Sequence, residues 1–446
     1  MNAPHRRGAC PGLSAPMATG DGLLVRFTAA DGISLGAFIA LCAAARAHGN
    51  GTMEISARGS LQVRGLSMRS APAFARAVAA LDIAAADGPS VIVDPLAQDP
   101  DVRVDSTGLA AAVRHAVAAA QLVLAPKVCV VLDGGGTLHL DALSADVRLR
   151  AMGPVQAPRL HVSIAGDAAS ATPLGSIPPR SAADAAVGLL GVIAAHGAGA
   201  RAADVQRSKG SEPFHAAVDG MERAGALPAR APVEMIGRHA LRDGSLALGI
   251  ALAFGHAHAD ALLRLARIAG AYGARAVRPA PDRSLLLVGI AREHAEAVTA
   301  SLEHQGFIVR PDDPRRRVVA CPGKPACASG LLATRALAAE IAPRLPPSRD
   351  IIHVSGCAKG CAHPAPAALT LVGTQQGCGI IEHGDSRALP SRHVAECDIV
   401  TEAVRLASRP ICGRSTPHPA PTAPTSPHRG ERLSCLSSGL PWPTIS

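Results

Sequence analysis

A pattern of elements that occurs twice constrains the fold of this 446-residue chain more than any other feature. From Gly22 to Leu66 the apolar periodicity predicts a strand, a helix over Leu35–Ala47 and, after a Gly-Asn-Gly turn, further strand residues. The same order recurs in a segment that ends at Ile290, displaced by 224 residues. Two equivalent halves can pack about a pseudo-twofold axis and form a shared cleft. The sequence therefore predicts a duplicated α+β core.

Each repeat is followed by a longer stretch in which predicted helices and strands alternate. In the first stretch we predict helices over 108–124 and 182–195 and strands over 127–132 and 159–164. In the second we predict a helix over 331–345 and strands over 350–354 and 367–372. An α/β domain is therefore expected after each repeat.

The run Asp133-Gly134-Gly135-Gly136 separates two apolar segments, 127–132 and 137–140. A glycine-rich turn between such segments is typical of a β-hairpin. The run lacks the Lys-Ser/Thr pair of a phosphate-binding loop. We therefore predict a hairpin here.

The predicted elements divide the chain into five regions. These are repeat 1 (8–70), α/β domain 1 (71–232), repeat 2 (233–300), α/β domain 2 (301–408) and a tail (409–446). The tail is rich in Pro, Ser, Thr and His, and this composition is too polar to pack. We therefore expect the tail to be disordered.

The composition limits the partners of the chain. Its net charge of +9 favours an anionic partner. Aromatic residues make up only 2% of the chain and the basic residues form no concentrated block, so nucleic acid is not an expected partner. The longest apolar run, 185–195, is too short for a membrane span, and no signal-peptide core follows Arg6-Arg7. We expect a soluble cytoplasmic protein with no membrane partner.

Four of the eleven cysteines form a compact pattern. Five residues separate Cys321 from Cys327, and three separate Cys357 from Cys361. Four thiolates suit either a tetrahedral zinc ion or a [4Fe-4S] cluster. Structural zinc favours tight, short-spaced pairs, whereas loops rich in Gly and Pro accommodate a larger cubane; incidental buried thiols are the third alternative. The spacing favours the cluster, with all four cysteines as ligands.

The motifs around these cysteines resemble a known superfamily. ACPGKPACASG and HVSGCAKGCAHPAPAALTLVG are similar to the C-x5-C and C-x3-C signature of the sirohaem-containing sulfite and nitrite reductases and their relatives. SARGSLQVRGL is similar to the strand that lines the tetrapyrrole in those enzymes. The resemblance covers roughly residues 8–405. It implies an α+β fold with two ferredoxin-like half-domains and two sirohaem-reductase-type α/β domains around a pseudo-twofold axis.

Within that superfamily the chain resembles the precorrin-3B synthases. The opening RRGACPGLSAPMATGDGLLVR is similar to that branch, and Cys-Ala-Lys-Gly-Cys at 357–361 replaces the Cys-Pro-Asn-Gly-Cys usual in the reductases. Of the cationic positions that hold a small anion in the reductases, Arg58 and Lys127 match, whereas Pro89 and Cys129 stand at two others. The incomplete cage disfavours reduction of a small oxyanion and favours a large polycarboxylate tetrapyrrole as the ligand.

This resemblance implies an oxygen-dependent monooxygenase that converts precorrin-3A to precorrin-3B in aerobic cobalamin biosynthesis, by hydroxylation at C20 and formation of a γ-lactone. It implies a [4Fe-4S] cluster and a mononuclear non-haem iron as cofactors, with sirohaem as the alternative. No G-x-G-x-x-G fingerprint for NAD or flavin is present in the sequence. The expected partners are therefore precorrin-3A, O2 and an external electron donor, which is a reductase, a ferredoxin or an NADH-linked system.

Five cationic residues are predicted to hold the carboxylates of the substrate: Arg58, Arg64, Lys127, Arg278 and Arg283. Arg58 and Arg64 would share one face of a strand, for which a solvated edge is the plain alternative. His256 and His258 could bind the mononuclear iron, although a turn before the following helix is the favoured interpretation. The sequence does not identify catalytic residues.

Two other function classes stay open at this point. A sirohaem-dependent sulfite or nitrite reductase would share the fold and the cluster but contain a bound haem. A zinc- or cluster-stabilised binding module without catalysis would use the positive charge for nucleic acid, which the scarcity of aromatic residues disfavours.

Overall fold

The computed structural model describes residues 11–29, 32–81, 83 and 89–409, and within them twenty strands form four five-stranded sheets. The strands are β1 Met17–Thr19, β2 Gly22–Phe27, β3 Ile33–Ser34, β4 Thr52–Ile55, β5 Leu61–Leu66, β6 Ser90–Val93, β7 Cys129–Asp133, β8 Ala145–Met152, β9 Arg159–Gly166, β10 Thr172–Ile177, β11 Gly237–Ala240, β12 Leu246–Ala251, β13 His256–His258, β14 Ala276–Ala280, β15 Ser284–Ile290, β16 Val318–Ala320, β17 Ile352–Ser355, β18 Ala367–Thr374, β19 Gly377–Gly384 and β20 Arg392–Val394. The α-helices are α1 Leu35–His48, α2 Ala71–Ala79, α3 Ser106–Ala119, α4 Ala182–Ala195, α5 Ala202–Lys209, α6 Glu212–Ala216, α7 Ala259–Ala271, α8 Ala295–His304, α9 Thr334–Ile341 and α10 Ile399–Ala407.

The two repeats build two antiparallel sheets that exchange strands. The first sheet has the order β1-β2-β5-β4-β13 and the second β11-β12-β15-β14-β3. Each sheet thus contains one short strand from the other repeat: His256 of β13 pairs with Glu54, and Ile33 of β3 pairs with Val277. β4 and β14 begin 224 residues apart. This reciprocal exchange is a pseudo-twofold relation, and it confirms the predicted fold class.

A helix pair forms the shared core of the two repeats. α1 follows Ser34, whose hydroxyl accepts a hydrogen bond from the Ala37 amide, as is usual at a helix N-terminus. α1 packs against α7 of the other repeat. The buried side chains of both helices and of both sheets belong to a single cluster, which includes Phe38, Leu41, Leu262 and Leu265. Neither repeat could bury this apolar surface alone.

The two α/β domains share a second topology. Their sheets have the orders β6-β7-β8-β9-β10 and β16-β17-β18-β19-β20. In each sheet the first three strands are parallel, and the fourth and fifth each pair antiparallel with the strand before them. α3 and α9 occupy equivalent places, between the first and second strand of their sheets. The carboxyl ends of the parallel strands meet at one edge of each sheet, where functional loops lie in α/β folds.

The predicted hairpin at 133–136 is wrong. β7 pairs in parallel with β6 and β8, and residues 137–140 form no strand. In a hairpin the amides of this segment would donate to the partner strand. Here they donate to carboxylates instead: the Gly134 amide to Asp94 Oδ1 at 2.9 Å and the Thr137 amide to Asp99 Oδ2 at 2.8 Å. These acceptors are 40 and 38 residues away in the sequence, so local turn chemistry could not reveal them.

Two predicted helices are shorter than expected. α3 ends at Ala119 rather than at 124, and α9 begins at Thr334 rather than at 331. The residues before Thr334 belong to the loop that carries Cys321 and Cys327. The other predicted helices and strands are present within a few residues of their predicted bounds.

Each repeat also contacts the α/β domain that follows the other repeat. In the first repeat, Glu54 forms an ion pair with Arg335 at 2.6 Å. At the equivalent position of the second repeat, Arg278 donates to the Asp94 carbonyl at 3.2 Å. The equivalent positions 54 and 278 of the two repeats therefore each contact the opposite α/β domain, one through an acid and the other through a base.

Of the helices in the described part of the chain, none combines the length and the apolar character that a membrane crossing needs. The predicted tail, 409–446, lies outside the described residues except for Arg409. The domain boundaries given above stay predictions.

Candidate metal centre

Four thiols lie at the edge of the second α/β sheet. Cys321 directly follows β16, and Cys357 follows the end of the adjacent parallel strand β17 after one glycine. Cys327 and Cys361 lie further along the same two loops. Desolvation and the neighbouring thiols of Cys357, Cys321 and Cys327 raise the pKa of Cys361, so the four thiols share one electrostatic environment. The sheet topology thus places the two cysteine pairs on adjacent loops, and the four-thiolate centre itself stays a prediction.

Main-chain and side-chain contacts join the two cysteine loops. The Gly356 amide donates to Cys321 Sγ at 3.2 Å, and the Leu331 amide donates to the Gly356 carbonyl at 2.8 Å. Lys359 Nζ donates to the Ser329 hydroxyl at 2.8 Å. A side chain at Gly356 would approach the Cα atoms of Gly330 and Gly323 to 3.1 and 3.3 Å. Only a glycine fits at this crossing without displacement of its neighbours.

These residues fit an iron–sulfur cluster. Every candidate donor is a thiol, and an amide already points at one sulfur, as expected around thiolate ligands. The segments 314–339 and 351–381 contain Lys or Arg at positions 315–317, 324, 335 and 359 but neither Asp nor Glu. Basic cysteine segments suit the anionic charge of a thiolate-bound cluster.

Arg64 is buried beneath the first cysteine loop. Its side chain on β5 is only 3% exposed and donates to both Asp21 oxygens, at 3.0 and 2.9 Å. Its Nη2 also donates to the Ala326 carbonyl at 2.5 Å, directly before Cys327. Arg64 therefore ties the first repeat to the C-x5-C loop. These contacts favour a structural or electrostatic role over contact with a substrate.

Arg283 has the corresponding position at the second cysteine loop. It lies in the turn between β14 and β15 with a φ of 58°, and its Nη2 donates to the Ala362 carbonyl at 2.7 Å, directly after Cys361. Burial lowers the pKa of its guanidinium, which the neighbouring Asp282 partly offsets. Arg283 thus connects the second repeat to the C-x3-C loop.

Arg58 and Lys127 form a separate group. Arg58 lies in the turn between β4 and β5, so the prediction that it shares a strand face with Arg64 is wrong. Because the turn directs it away from the sheet, its Nη1 reaches Cys129 Sγ at 3.1 Å and its Nη2 the Ser144 carbonyl at 3.1 Å. Lys127 is exposed two residues before Cys129. The structure therefore places these two cations beside the start of β7, apart from Arg278, which is buried against Asp94.

The two candidate histidines lie in β13 rather than in a turn. His258 Nδ1 accepts the Asp260 amide at 3.3 Å and so caps α7. His256 is half-buried, and burial together with the nearby Arg335 lowers its pKa to about 4. No three His, Cys, Asp or Glu side chains in the described residues are arranged to hold a single metal ion. The ligands of a mononuclear iron stay unassigned.

One histidine near the cysteines is not predicted from the sequence. His353 on β17 is fully buried, and neither ring nitrogen has a hydrogen-bond partner within the described structure. Burial, His363 and Arg283 lower its pKa to about 4. Its place four residues before Cys357 was the only available signal.

Comparison with known proteins identifies the family. A family model described as the nitrite/sulfite reductase ferredoxin-like half domain matches residues 15–81 and 239–305, two ranges offset by 224 residues. This offset is the displacement predicted for the internal repeat. A precorrin-3B synthase from Sinorhizobium sp. is 38% identical over 411 residues, which cover 91% of this chain and 89% of that protein. The chain belongs to the precorrin-3B synthase family. The predicted family and the predicted oxidoreductase class are thereby confirmed.

More distant relatives of this precorrin-3B synthase family member share only part of their length with it. Sulfite reductase [ferredoxin] 2 of Mycolicibacterium paratuberculosis is 29% identical over 156 residues, 33% of this chain and 28% of that protein. The solved structure of the Mycobacterium tuberculosis NirA protein superimposes with a TM-score of 0.70 at 20% identity, over 88% of this chain and 82% of that one. The structural likeness supports the fold. The homology suggests a cofactor of the iron–sulfur or sirohaem type.

Proposed function

We propose that this chain converts precorrin-3A to precorrin-3B with O2, by hydroxylation at C20 and formation of a γ-lactone. The observation that carries the proposal is the 38% identity to a precorrin-3B synthase along 91% of the chain. The environment of Cys129 supports it as well. This buried thiol stands where the reductases have a lysine, and its sulfur accepts a hydrogen bond from the Arg58 guanidinium at 3.1 Å. A small oxyanion would therefore lack one of the cationic side chains that hold it in the reductases.

We propose that Cys321, Cys327, Cys357 and Cys361 bind one [4Fe-4S] cluster. The all-thiol donor set, the Gly356 amide on the Cys321 sulfur and the absence of acidic residues from the two cysteine segments support this assignment. When bound, the cluster would relay electrons, while a separate non-haem iron would activate O2. The chain's own contribution is to orient the four sulfurs and to keep the inner one, Cys321, away from water.

We propose that Arg58 and Lys127 bind carboxylates of the substrate. Both are accessible, and a guanidinium or an ammonium makes charge-assisted hydrogen bonds with acetate and propionate side chains. The contacts of Arg58 with Cys129 and Ser144 fix its direction before a ligand arrives. Arg64 and Arg278 are only 3% and 8% exposed, and Arg283 donates to the Ala362 carbonyl beside Cys361, so the substrate contacts predicted for these three have less support.

The surface beside Cys361 supports an external electron donor of negative charge. Cys361 is exposed, and the exposed Lys324 and Lys359 flank the cysteine loops. An electron-transfer partner with an acidic surface would be attracted there and could dissociate at moderate salt.

The test combines composition, spectrum and turnover. Anaerobically purified protein is analysed for iron and sulfide, its absorption is recorded, and it is incubated with precorrin-3A, a reductant and 18O2. We expect ~4 iron and ~4 sulfide in the cluster, a broad shoulder without an intense Soret-type band, and a product that carries labelled oxygen. Bound sirohaem with sulfite or nitrite reduction would instead favour the reductases. Zinc in place of iron, with no turnover, would favour a binding module.

A further inference from the structure

Two arginines, one from each repeat, hold the two cysteine loops in the same way. Arg64 donates to the carbonyl of Ala326, which precedes Cys327. Arg283 donates to the carbonyl of Ala362, which follows Cys361. Each loop is therefore hydrogen-bonded, beside its second cysteine, to a guanidinium. The first guanidinium comes from one ferredoxin-like half and the second from the other. Arg64 is only 3% exposed and Arg283 is half-buried, so solvent screens both charges less than it screens charges at the surface.

The charge of Arg64 is compensated. Asp21 binds it through two oxygens at 3.0 and 2.9 Å, and Glu54 lies 3.6 Å from it. Glu54 in turn binds Arg335 at 2.6 Å. These two carboxylates and two guanidiniums sum to zero, so this network exerts a weak net field on the first cysteine loop.

The charge of Arg283 is not compensated in this way. No carboxylate in the described residues lies within 4.0 Å of its guanidinium. The acid next to it in the chain, Asp282, is exposed and binds Arg316 at 3.2 Å. The other titratable groups near Arg283 are His353 and, around it, His363 and Asp385. The second cysteine loop therefore lies beside a half-buried cation that no carboxylate contacts directly, and only the more distant charge of Asp282 offsets it in part.

The backbone supports this placement at a conformational cost. Arg283, Asp282 and Phe254 line one cavity, and their φ angles are 58°, 59° and 55°. Left-handed backbone is unfavourable for residues other than glycine, and clusters of such residues occur where function requires a particular geometry. Three of the six such residues in the described part of the chain surround this one cavity.

We propose that Arg283, whose guanidinium no carboxylate contacts directly, raises the reduction potential of the cluster, whereas the Arg64 network has little net effect because Asp21 and Glu54 balance its two guanidiniums. The inference rests on the proposed cluster. Reduction adds one electron from the external donor to the cluster and makes it more negative, with no bond broken. A nearby cation stabilises the reduced state more than the oxidised state. Arg283 is then a positioning residue that sets the reduction potential of the cluster, and Asp21 and Glu54 act on that potential by balancing the charge of Arg64.

The test is a potentiometric titration of the holoprotein with dithionite and mediators, followed by electron paramagnetic resonance of the reduced cluster. Arg283→Gln keeps a donor for the Ala362 carbonyl but removes the charge, so we expect the reduced fraction at a fixed potential to fall about tenfold. That change corresponds to a shift of about 59 mV for one electron. Arg283→Lys retains the charge and should stay near the parent potential.

Arg64→Gln leaves the carboxylates of Asp21 and Glu54 in excess and should lower the potential, whereas the double variant Arg64→Gln/Asp21→Asn keeps the network neutral and should stay near the parent potential. Asp21→Asn alone should raise the potential, because it exposes the charge of Arg64. Arg275→Gln is the matched control, since this arginine is 57% exposed and binds Asp243 rather than a cysteine loop. Its potential should equal that of the parent.

Three results would overturn the proposal. One is an unchanged potential in Arg283→Gln and Asp21→Asn proteins with full iron and sulfide. Another is an equal loss of cluster from Arg283→Gln and Arg283→Lys with no change in Asp21→Asn, which would make Arg283 a purely structural clamp. The third is a parent protein without cluster iron, which would overturn the proposed cofactor as well. If Arg283→Gln loses its cluster and Arg283→Lys keeps it, the potential of the Asp21→Asn protein tests the proposal. A rise in that potential supports it, and an unchanged potential contradicts it.

Discussion

The two α/β domains share a strand order but differ in what stands at the carboxyl edge of their parallel strands. The residue after β16 is Cys321, and the residue after β6 is Asp94. The Gly356 amide donates to the Cys321 sulfur at 3.2 Å, and the Gly134 amide donates to Asp94 Oδ1 at 2.9 Å. The same backbone geometry thus directs an amide at the side chain in both domains. The side chain at that place decides whether a thiol or a buried carboxyl group receives this hydrogen bond.

The two edges also differ in how they are closed. In the second domain the thiols lie next to glycines and small residues, and Cys361 is exposed. In the first domain Arg230, from the segment before the second repeat, binds Asp133 and lies 2.6 Å from Asp141. Burial alone would lower the pKa of Arg230, but these two carboxylates keep it above its usual range. The first edge is therefore closed by the chain's own ion pairs, whereas the second carries thiols, one of which is exposed.

The largest expected effect comes from removal of a thiol at the second edge. Cys321→Ser or Cys361→Ser should yield protein depleted in both iron and sulfide, because a hydroxyl is a poor ligand for iron in such a cluster. Cys397→Ser, at an exposed cysteine outside the pattern, is the control and should keep its full cluster. Iron and sulfide analysis after anaerobic purification measures the difference. Full cluster occupancy in the Cys361→Ser protein would reject this residue as a ligand.

The first edge should respond through stability rather than metal content. Arg230→Ala leaves Asp133, whose side chain is fully buried, without its cation. Loss of one partner of a buried ion pair costs about 3–5 kcal/mol. We expect urea unfolding to show a loss of this order while the iron content per folded chain stays unchanged.

The control for this change is Arg223→Ala. Arg223 lies 3.6 Å from Glu212, and their side chains are 74% and 78% exposed. An exposed pair of this kind contributes about 0–1 kcal/mol. Equal losses of unfolding free energy in the two variants would mean that Arg230 does not close the first edge.

Gly134 and Gly356 occupy equivalent positions at the two edges, and substitutions there should have smaller effects on stability. A side chain at Gly134 would lie 2.5 Å from the Val104 carbonyl, whereas one at Gly356 would lie 3.1 Å from Gly330 Cα. Gly134→Ala must therefore displace backbone, at a cost of about 1–3 kcal/mol. Gly356→Ala should affect stability less but lower the iron content, because it separates the cysteine loops. Unfolding and iron analysis of both variants test this; a reversed pattern would contradict it.

Sequence reasoning worked where a pattern is local. The β-α-β-β repeat, the 224-residue offset and the two cysteine pairs are all visible within short segments, and the helix over 182–195 agrees with α4. It did not reveal the strand exchange, since a two-residue strand such as β3 has no periodicity to detect.

Contacts between distant residues account for the remaining differences. Arg64 and Ala326 are 262 residues apart, and Arg283 and Ala362 are 79 apart. A charge pattern on one strand gives no sign of such a partner, so both arginines were predicted to face a substrate. The hairpin prediction at Asp133 failed for the same reason, because the acceptors of its amides come from another loop.

The smallest expected effect is at Asp94, although this residue takes the place that Cys321 has in the other domain. Burial raises the pKa of Asp94, the neighbouring Asp133 raises it further, and its Oδ2 has no hydrogen-bond partner in the described structure. The Gly134 amide needs only an oxygen acceptor, which the side chain of Asn also provides. Arg278 donates to the main-chain carbonyl of residue 94, which the substitution does not change. Asp94→Asn keeps both contacts. We expect a change in unfolding free energy of less than about 1 kcal/mol at pH 5.

The pH dependence of the Asp94→Asn protein separates this interpretation from an ordinary ion pair. A carboxyl whose pKa is raised in the folded state adds stability below its unfolded value, 3.8, and loses that contribution as the pH rises through the folded pKa. The parent should therefore lose stability relative to Asp94→Asn as the pH increases from 4 towards neutrality. Urea unfolding of both proteins across this range measures the difference. If the variant instead becomes the less stable protein as the pH rises, Asp94 is an ionised partner of Arg278, and the two edges differ less than the structure indicates.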